Sequence, residues 1–104
     1  MSVMVMTDER FDDHDMPGHP EHSGRLQAVR QQLVSDGLMQ RVIVERASPI
    51  DLDVVKLAHV DAYLAQLERT SHLSTTHLLD PDTYVTPHSY RIALLAAGAT
   101  AYAT

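Results

Sequence analysis

The stretch Ile92-Ala93-Leu94-Leu95-Ala96-Ala97-Gly98-Ala99 is apolar around its whole circumference when wound as a helix. Such a helix is stable only when neighbours cover it on every side. A chain of 104 residues holds material for one domain and no more. What remains outside this stretch reads as short amphipathic pieces, so the covering layer is thin. The patterning therefore predicts a mostly helical α/β fold of two short strands and about four helices, with apolar surface to spare. Large uncovered apolar patches mark contact sites, which leads us to expect a homo-oligomer joined through the strand at 3–6 and the helix at 88–103.

The other elements follow from local signals. Val3-Met4-Val5-Met6 has the length and β-branched content of a short buried strand, ended by Thr7-Asp8-Glu9-Arg10. Residues 11–23, punctuated by Asp12, Asp13, Asp15, Pro17, Gly18 and Pro20, read as a loop. Leu26, Val29 and Leu33 recur at helical spacing and predict a helix from about Gly24 to Asp36, with Gly37 as its left-handed stop. Val42-Ile43-Val44 is the second strand. Ser48-Pro49-Ile50-Asp51 predicts a helix start, with Ser48 as N-cap and Pro49 in the first helical position. A further helix is expected over about Val60 to Arg69. The Ser/Thr/Pro/Asp-rich segment 70–86 reads as a long rim loop, and Thr86-Pro87 opens the last helix.

Charge and composition remove several function classes. The net charge is −6 and the eight basic residues are scattered, whereas nucleic-acid binding needs clustered Lys and Arg to displace counterions. Without cysteine there is no disulfide, thiolate ligand or thiol nucleophile. The N-terminal residues lack a basic, signal-like region, and the longest apolar run is far too short for a membrane span. A cytoplasmic location is the expectation.

Chemistry-bearing residues concentrate near the first helix. The loop containing Asp12, Asp13, His14, Asp15, His19, Glu21 and His22 offers imidazole and carboxylate groups of the kind that hold zinc. Its spacing is not that of a zinc finger, and the plainer reading is a solvated loop ahead of a helix N-terminus. Arg25 sits one step inside the helix, where its charge opposes the dipole. It is either held by a carboxylate, lining a polar cavity, or an ordinary surface arginine. His59 and Tyr63 share a helix face and read as a packed pair. Asp80-Pro81-Asp82-Thr83 is turn chemistry, with Asp82 able to present a carboxylate at a rim. No G-x-S-x-G elbow and no Gly-rich phosphate loop is present.

In order along the chain, these features resemble the N-terminal part of the histone deacetylase superfamily, which includes acetoin-utilisation proteins and acetylpolyamine amidohydrolases. His19-Pro20-Glu21-His22-Ser23-Gly24-Arg25-Leu26 is similar to the family's "HPE…RL" signature, nearest its class II-like form. Leu57, His59 and Tyr63 match "L..vH...Y", and Asp80-Pro81-Asp82-Thr83-Tyr84, Ser89-Tyr90 and Ala96-Ala97-Gly98-Ala99 match the segments that follow. The resemblance implies an N-terminal fragment of an arginase/deacetylase-like α/β domain. In that family a zinc-bound water hydrolyses an acetyl-lysine-type amide, using a histidine pair and an Asp-x-His…Asp set downstream of the matched region. The His-His pair and the Asp-x-His are read as absent from this chain, so the resemblance implies no catalytic residue and no cofactor held by this chain alone. It assigns Arg25 to a product-exit channel and Asp82, or its neighbour Thr83, to the substrate rim. It also aligns His14, His19 and His22 with a structural zinc site that relatives complete with cysteines, leaving at most a partial loop site. A split enzyme, with a separate catalytic fragment docked on this rim, is the alternative to a self-associating, non-catalytic unit.

Overall fold

The computed structural model describes residues 2–104. Strands β1 (Met4–Met6) and β2 (Ile43–Glu45) pair in parallel, with Met4 opposite Ile43 and Met6 opposite Glu45. Parallel neighbours need a long crossover. This one carries a 3-10 turn at Glu9–Asp13, helix α1 (Ser23–Ser35) and a second 3-10 turn at Leu38–Gln40. α1 ends as its glycine foretells: Gly37 takes φ 70° and the chain reverses.

Where the two strands end, they are tied together by a side chain that sequence reading treats only as punctuation. Asp8 is 1% exposed. Its carboxylate accepts from the Arg10 backbone N–H at 3.0 Å, from Arg10 Nε at 2.8 Å and Nη2 at 2.6 Å, and from the Ala47 N–H at 3.2 Å. Arg10 Nη2 also donates to the Ala47 carbonyl at 2.8 Å, closing a ring across the sheet's end. These bonds, those from Arg10 foremost, hold the Asp8 carboxyl far below the usual carboxylate range.

Helix α4 (Ser89–Ala103) lies against this unit and buries Ile92, Leu95 and Ala99, with Ala47, Met6 and Phe11 packed around them. Its start is shaped by Thr86, whose Oγ1 accepts from the His88 N–H at 3.1 Å while its own N–H donates to Ser89 Oγ at 2.8 Å. The cover is one-sided. Ala93, Ala96 and Thr100 are exposed along one flank of the buried stripe, and β1, expected to be buried, leaves Met4 exposed.

Two local expectations are corrected. The helix foreseen from Ser48 begins later, as the short α2 (Leu52–Val55) with Asp51 as its N-cap, accepting from the Asp53 N–H at 2.9 Å. Residues 48–50 are instead held extended along α4: the Ile50 N–H donates to the Leu94 carbonyl at 3.0 Å. Gly98 permits this approach, since a Cβ there would overlap the Ser48 carbonyl oxygen. The segment 70–86 is not a structureless loop. After α3 (Asp61–Arg69) and a 3-10 turn at Thr70–His72 it forms an antiparallel hairpin, β3 (His77–Asp80) and β4 (Thr83–Val85). The mixed α/β class with four α-helices among the described residues is as expected, with this hairpin added to the two foreseen strands. No helix among them is long and apolar enough to cross a membrane.

Candidate functional site

The opening loop, the hairpin and the start of α4 meet around Tyr84. This residue is 5% exposed and projects from β4, where it and the following Val85 are both buried while Thr83 is exposed. Its hydroxyl donates to the Glu21 carbonyl at 2.8 Å, and burial pushes its phenol up. His14 stacks on its ring, centroids 4.5 Å apart and planes 11° from parallel, while His19 meets it edge-on at 5.0 Å. His14 Nδ1 lies 2.6 Å from Ser89 Oγ, and burial lowers its affinity for a second proton.

Helix α1 begins beside this cluster, and the loop's polar groups serve its first turn. His22 Nδ1 accepts from the Gly24 N–H at 3.1 Å, and Asp15 accepts from the Ser23 N–H at 2.6 Å, a bond that holds the Asp15 carboxyl low. Arg25 forms an ion pair with Glu21, four residues earlier, and lines a cavity of about 430 Å³ with His14, Glu21, Leu26, Tyr84 and Ile92. Arg25 thus has a carboxylate partner, and its side chain, 60% exposed, stands at the cavity's open edge. A second cavity of about 310 Å³ lies beyond the shared wall of His14, Tyr84, Ile92 and Ala96, reaching Leu67 and Tyr90.

At the edge of the site, the turn between β3 and β4 carries Asp82 and Thr83. Asp80 organises it, accepting from the Asp82 N–H at 2.8 Å and from Thr83 Oγ1 at 2.9 Å; the backbone bond holds the Asp80 carboxyl low. Across the chain, His19 Nε2 lies 3.1 Å from the Asp82 carbonyl and 3.3 Å from its carboxylate, while His19 Nδ1 accepts from the Glu21 N–H at 2.9 Å.

The three loop histidines are brought near one another but not as ligands. His14 is engaged by Ser89, His22 caps α1, and both ring nitrogens of His19 are committed. Among the described residues no three His, Cys, Asp or Glu side chains converge to hold a metal. One Asp-x-His spacing does occur, Asp12-Asp13-His14, in the opening loop. There Asp12 pairs with Arg30, and Asp13 lies 3.4 Å from Arg91. As placed, the donors among the described residues do not fit a zinc ion. Sequence reading passed over Tyr84 and Asp80 as site residues; the β-forming run Thr-Tyr-Val-Thr after a turn was the available signal for the first.

The model of the histone deacetylase domain matches residues 19–104. A "Probable deacetylase" of Methanothermobacter thermautotrophicus is 31% identical over 96 residues, covering 92% of this chain and 28% of that protein. The crystal structure of the HDA15 HD domain superposes with a TM-score of 0.88 at 28% identity, covering 98% of this chain and 31% of its own. The chain thus spans under a third of either relative, and it belongs to the histone deacetylase family.

Proposed function

We propose that these residues form the rim and channel wall of a deacetylase and do not themselves hydrolyse an amide. One observation carries this reading: Arg25, Glu21, His14 and Tyr84 wall a formed cavity beside the Asp82 turn, while the described residues gather no metal-ligating set. In the resembled chemistry a metal supplies the hydroxide and polarises the carbonyl. This chain's residues supply what such a centre needs around it: a polar rim from the Asp82 carboxylate and its neighbour Thr83, and a cationic lining at Arg25. The substrate class proposed, an acetylated lysine or polyamine, is what the resemblance to the superfamily implies; the matched relative is named only as a "Probable deacetylase".

The test is zinc-dependent deacetylation of an acetyl-lysine peptide and an acetylated polyamine. It compares the chain alone with the chain co-produced with the segment of the Methanothermobacter protein that lies beyond the match. The expected result is turnover only in the pair, weakened by Arg25→Ala. Turnover by the chain alone, or none by a pair that assembles, overturns the reading.

A second reading, self-association without catalysis, is favoured by a separate observation. The accessible surface is 7349 Å², against about 5,800 Å² for a folded monomer of this mass. Val3, Ile43 and Val44 are among the apolar side chains left in the open.

A further inference from the structure

The Asp82 side chain is 93% exposed at the tip of the hairpin turn, whereas the His19 side chain that reaches it is 14% exposed. A carboxylate free to rotate in water contributes little to recognition, because binding must then also order it. Here its surroundings are ordered in advance. Asp80 fixes the Asp82 N–H, and the His19 imidazole approaches from the other side, 63 residues away in sequence. The imidazole is itself held. Its edge rests on Tyr84, whose hydroxyl is bonded to the Glu21 carbonyl, and its Nδ1 accepts the Glu21 N–H. A lone pair engaged at Nδ1 puts the hydrogen of the neutral ring on Nε2, where it faces the Asp82 carbonyl and Oδ1 together.

Building on the rim reading above, we propose that His19 is a positioning residue: its Nε2–H fixes the Asp82 turn so that the remaining carboxylate oxygen faces N–H groups of the acylated substrate. The opening loop and the rim then move as one body, and substrate does not have to order the turn on arrival.

The experiment compares His19→Asn with His19→Gln. The Asn amide can still accept the Glu21 N–H but falls short of Asp82. The Gln amide nitrogen reaches the place of Nε2. In the zinc-loaded pair described above, His19→Asn is expected to raise KM roughly tenfold, the size of one lost hydrogen bond, with kcat unchanged within about twofold. His19→Gln restores KM, and Asp82→Ala combined with His19→Asn costs no more than Asp82→Ala alone. An unchanged KM in His19→Asn, or fully additive losses, overturns the proposal while leaving the rim reading intact. If the pair shows no turnover, the rim reading fails and the positioning claim is decided on the chain itself by amide exchange. Exchange at Asp82 and Thr83 should be roughly tenfold faster in His19→Asn than in wild type or His19→Gln. Equal rates in all three overturn it. Far-UV circular dichroism establishes that the variants are folded.

Discussion

At the scale of the residue, Asp8 and His14 show how burial makes side chains sensitive to pH. Asp8 is enclosed at the end of the β1–β2 pair and accepts four hydrogen bonds, three of them from Arg10. Asp8→Asn removes the charge and turns an amide N–H₂ toward donors, so we expect a loss of about 1–3 kcal/mol in urea unfolding. Because its carboxyl is held low in the fold, the stability it contributes is complete above its ordinary value of 3.8 and is lost as the pH falls below it. Wild type should therefore lose more stability than Asp8→Asn on going from about pH 5 to pH 2. His14 works in the same direction by the opposite charge change. Its ring is kept neutral by burial against Tyr84 and Ser89, so below its ordinary value of 6.5 the unfolded chain gains the proton more readily than the fold. Stability should fall as the pH drops from about 7 to 5, and a His14→Gln variant should lose that slope. An unchanged slope in the variant would assign it to other groups.

At the scale of the element, α4 illustrates how a helix can be ordered by what touches one side of it. Leu95 is 2% exposed at the centre of that side, and Leu95→Ala should cost about 2–5 kcal/mol. Gly98 gives a sharper test, because two effects oppose each other there. In an exposed helix interior, Gly→Ala stabilises by about 1 kcal/mol. Here the added methyl meets the backbone of residues 48–50, which is held to Leu94 and cannot turn aside like a flexible side chain. We expect Gly98→Ala to destabilise by about 1–3 kcal/mol, measured by thermal unfolding. A gain in stability would mean that the 48–50 segment yields. The same contact explains why Ser48-Pro49 does not open a helix despite favourable capping chemistry: a tertiary hydrogen bond from Ile50 holds that backbone extended. In the hairpin, the local signal was real but incomplete. The Asp80-Pro81-Asp82-Thr83 turn was legible, while His77-Leu78-Leu79 is too short and too exposed to announce a strand.

At the scale of the whole molecule, the elements form a slab of 43 × 34 × 19 Å. Its radius of gyration is 15.4 Å, against about 13 Å for a compact chain of this length. The excess of accessible surface is about 1,500 Å², well above the ~800 Å² that one partner buries in an ordinary protein interface. Light scattering on the purified chain measures what covers it. Self-association predicts a folded dimer or larger assembly, with Val44→Lys on β2 shifting the population toward monomer. A monodisperse, folded monomer would refute it. A chain that folds only when the complementary deacetylase segment is supplied would favour the rim-and-channel reading.

The sequence by itself determined the elements whose signals are local. These are the two short strands taken singly, the first helix with its glycine stop, the apolar final helix, and the ordered HPE-to-AAGA motifs that place the chain in its family; that the strands pair in parallel was left to the tertiary structure. Periodicity and capping act within a few residues, and they survive in any context that does not oppose them. Only the tertiary structure decided what required distant residues to meet. Asp8 found Ala47, Ser48–Ile50 lay down along Gly98, Tyr84 became the floor under two histidines, and His19 reached Asp82. The same imidazoles that read as metal ligands in one dimension are spent in three as caps, stacks and braces. A histidine's two nitrogens take whichever partners the fold brings to them, and sequence spacing does not encode those partners.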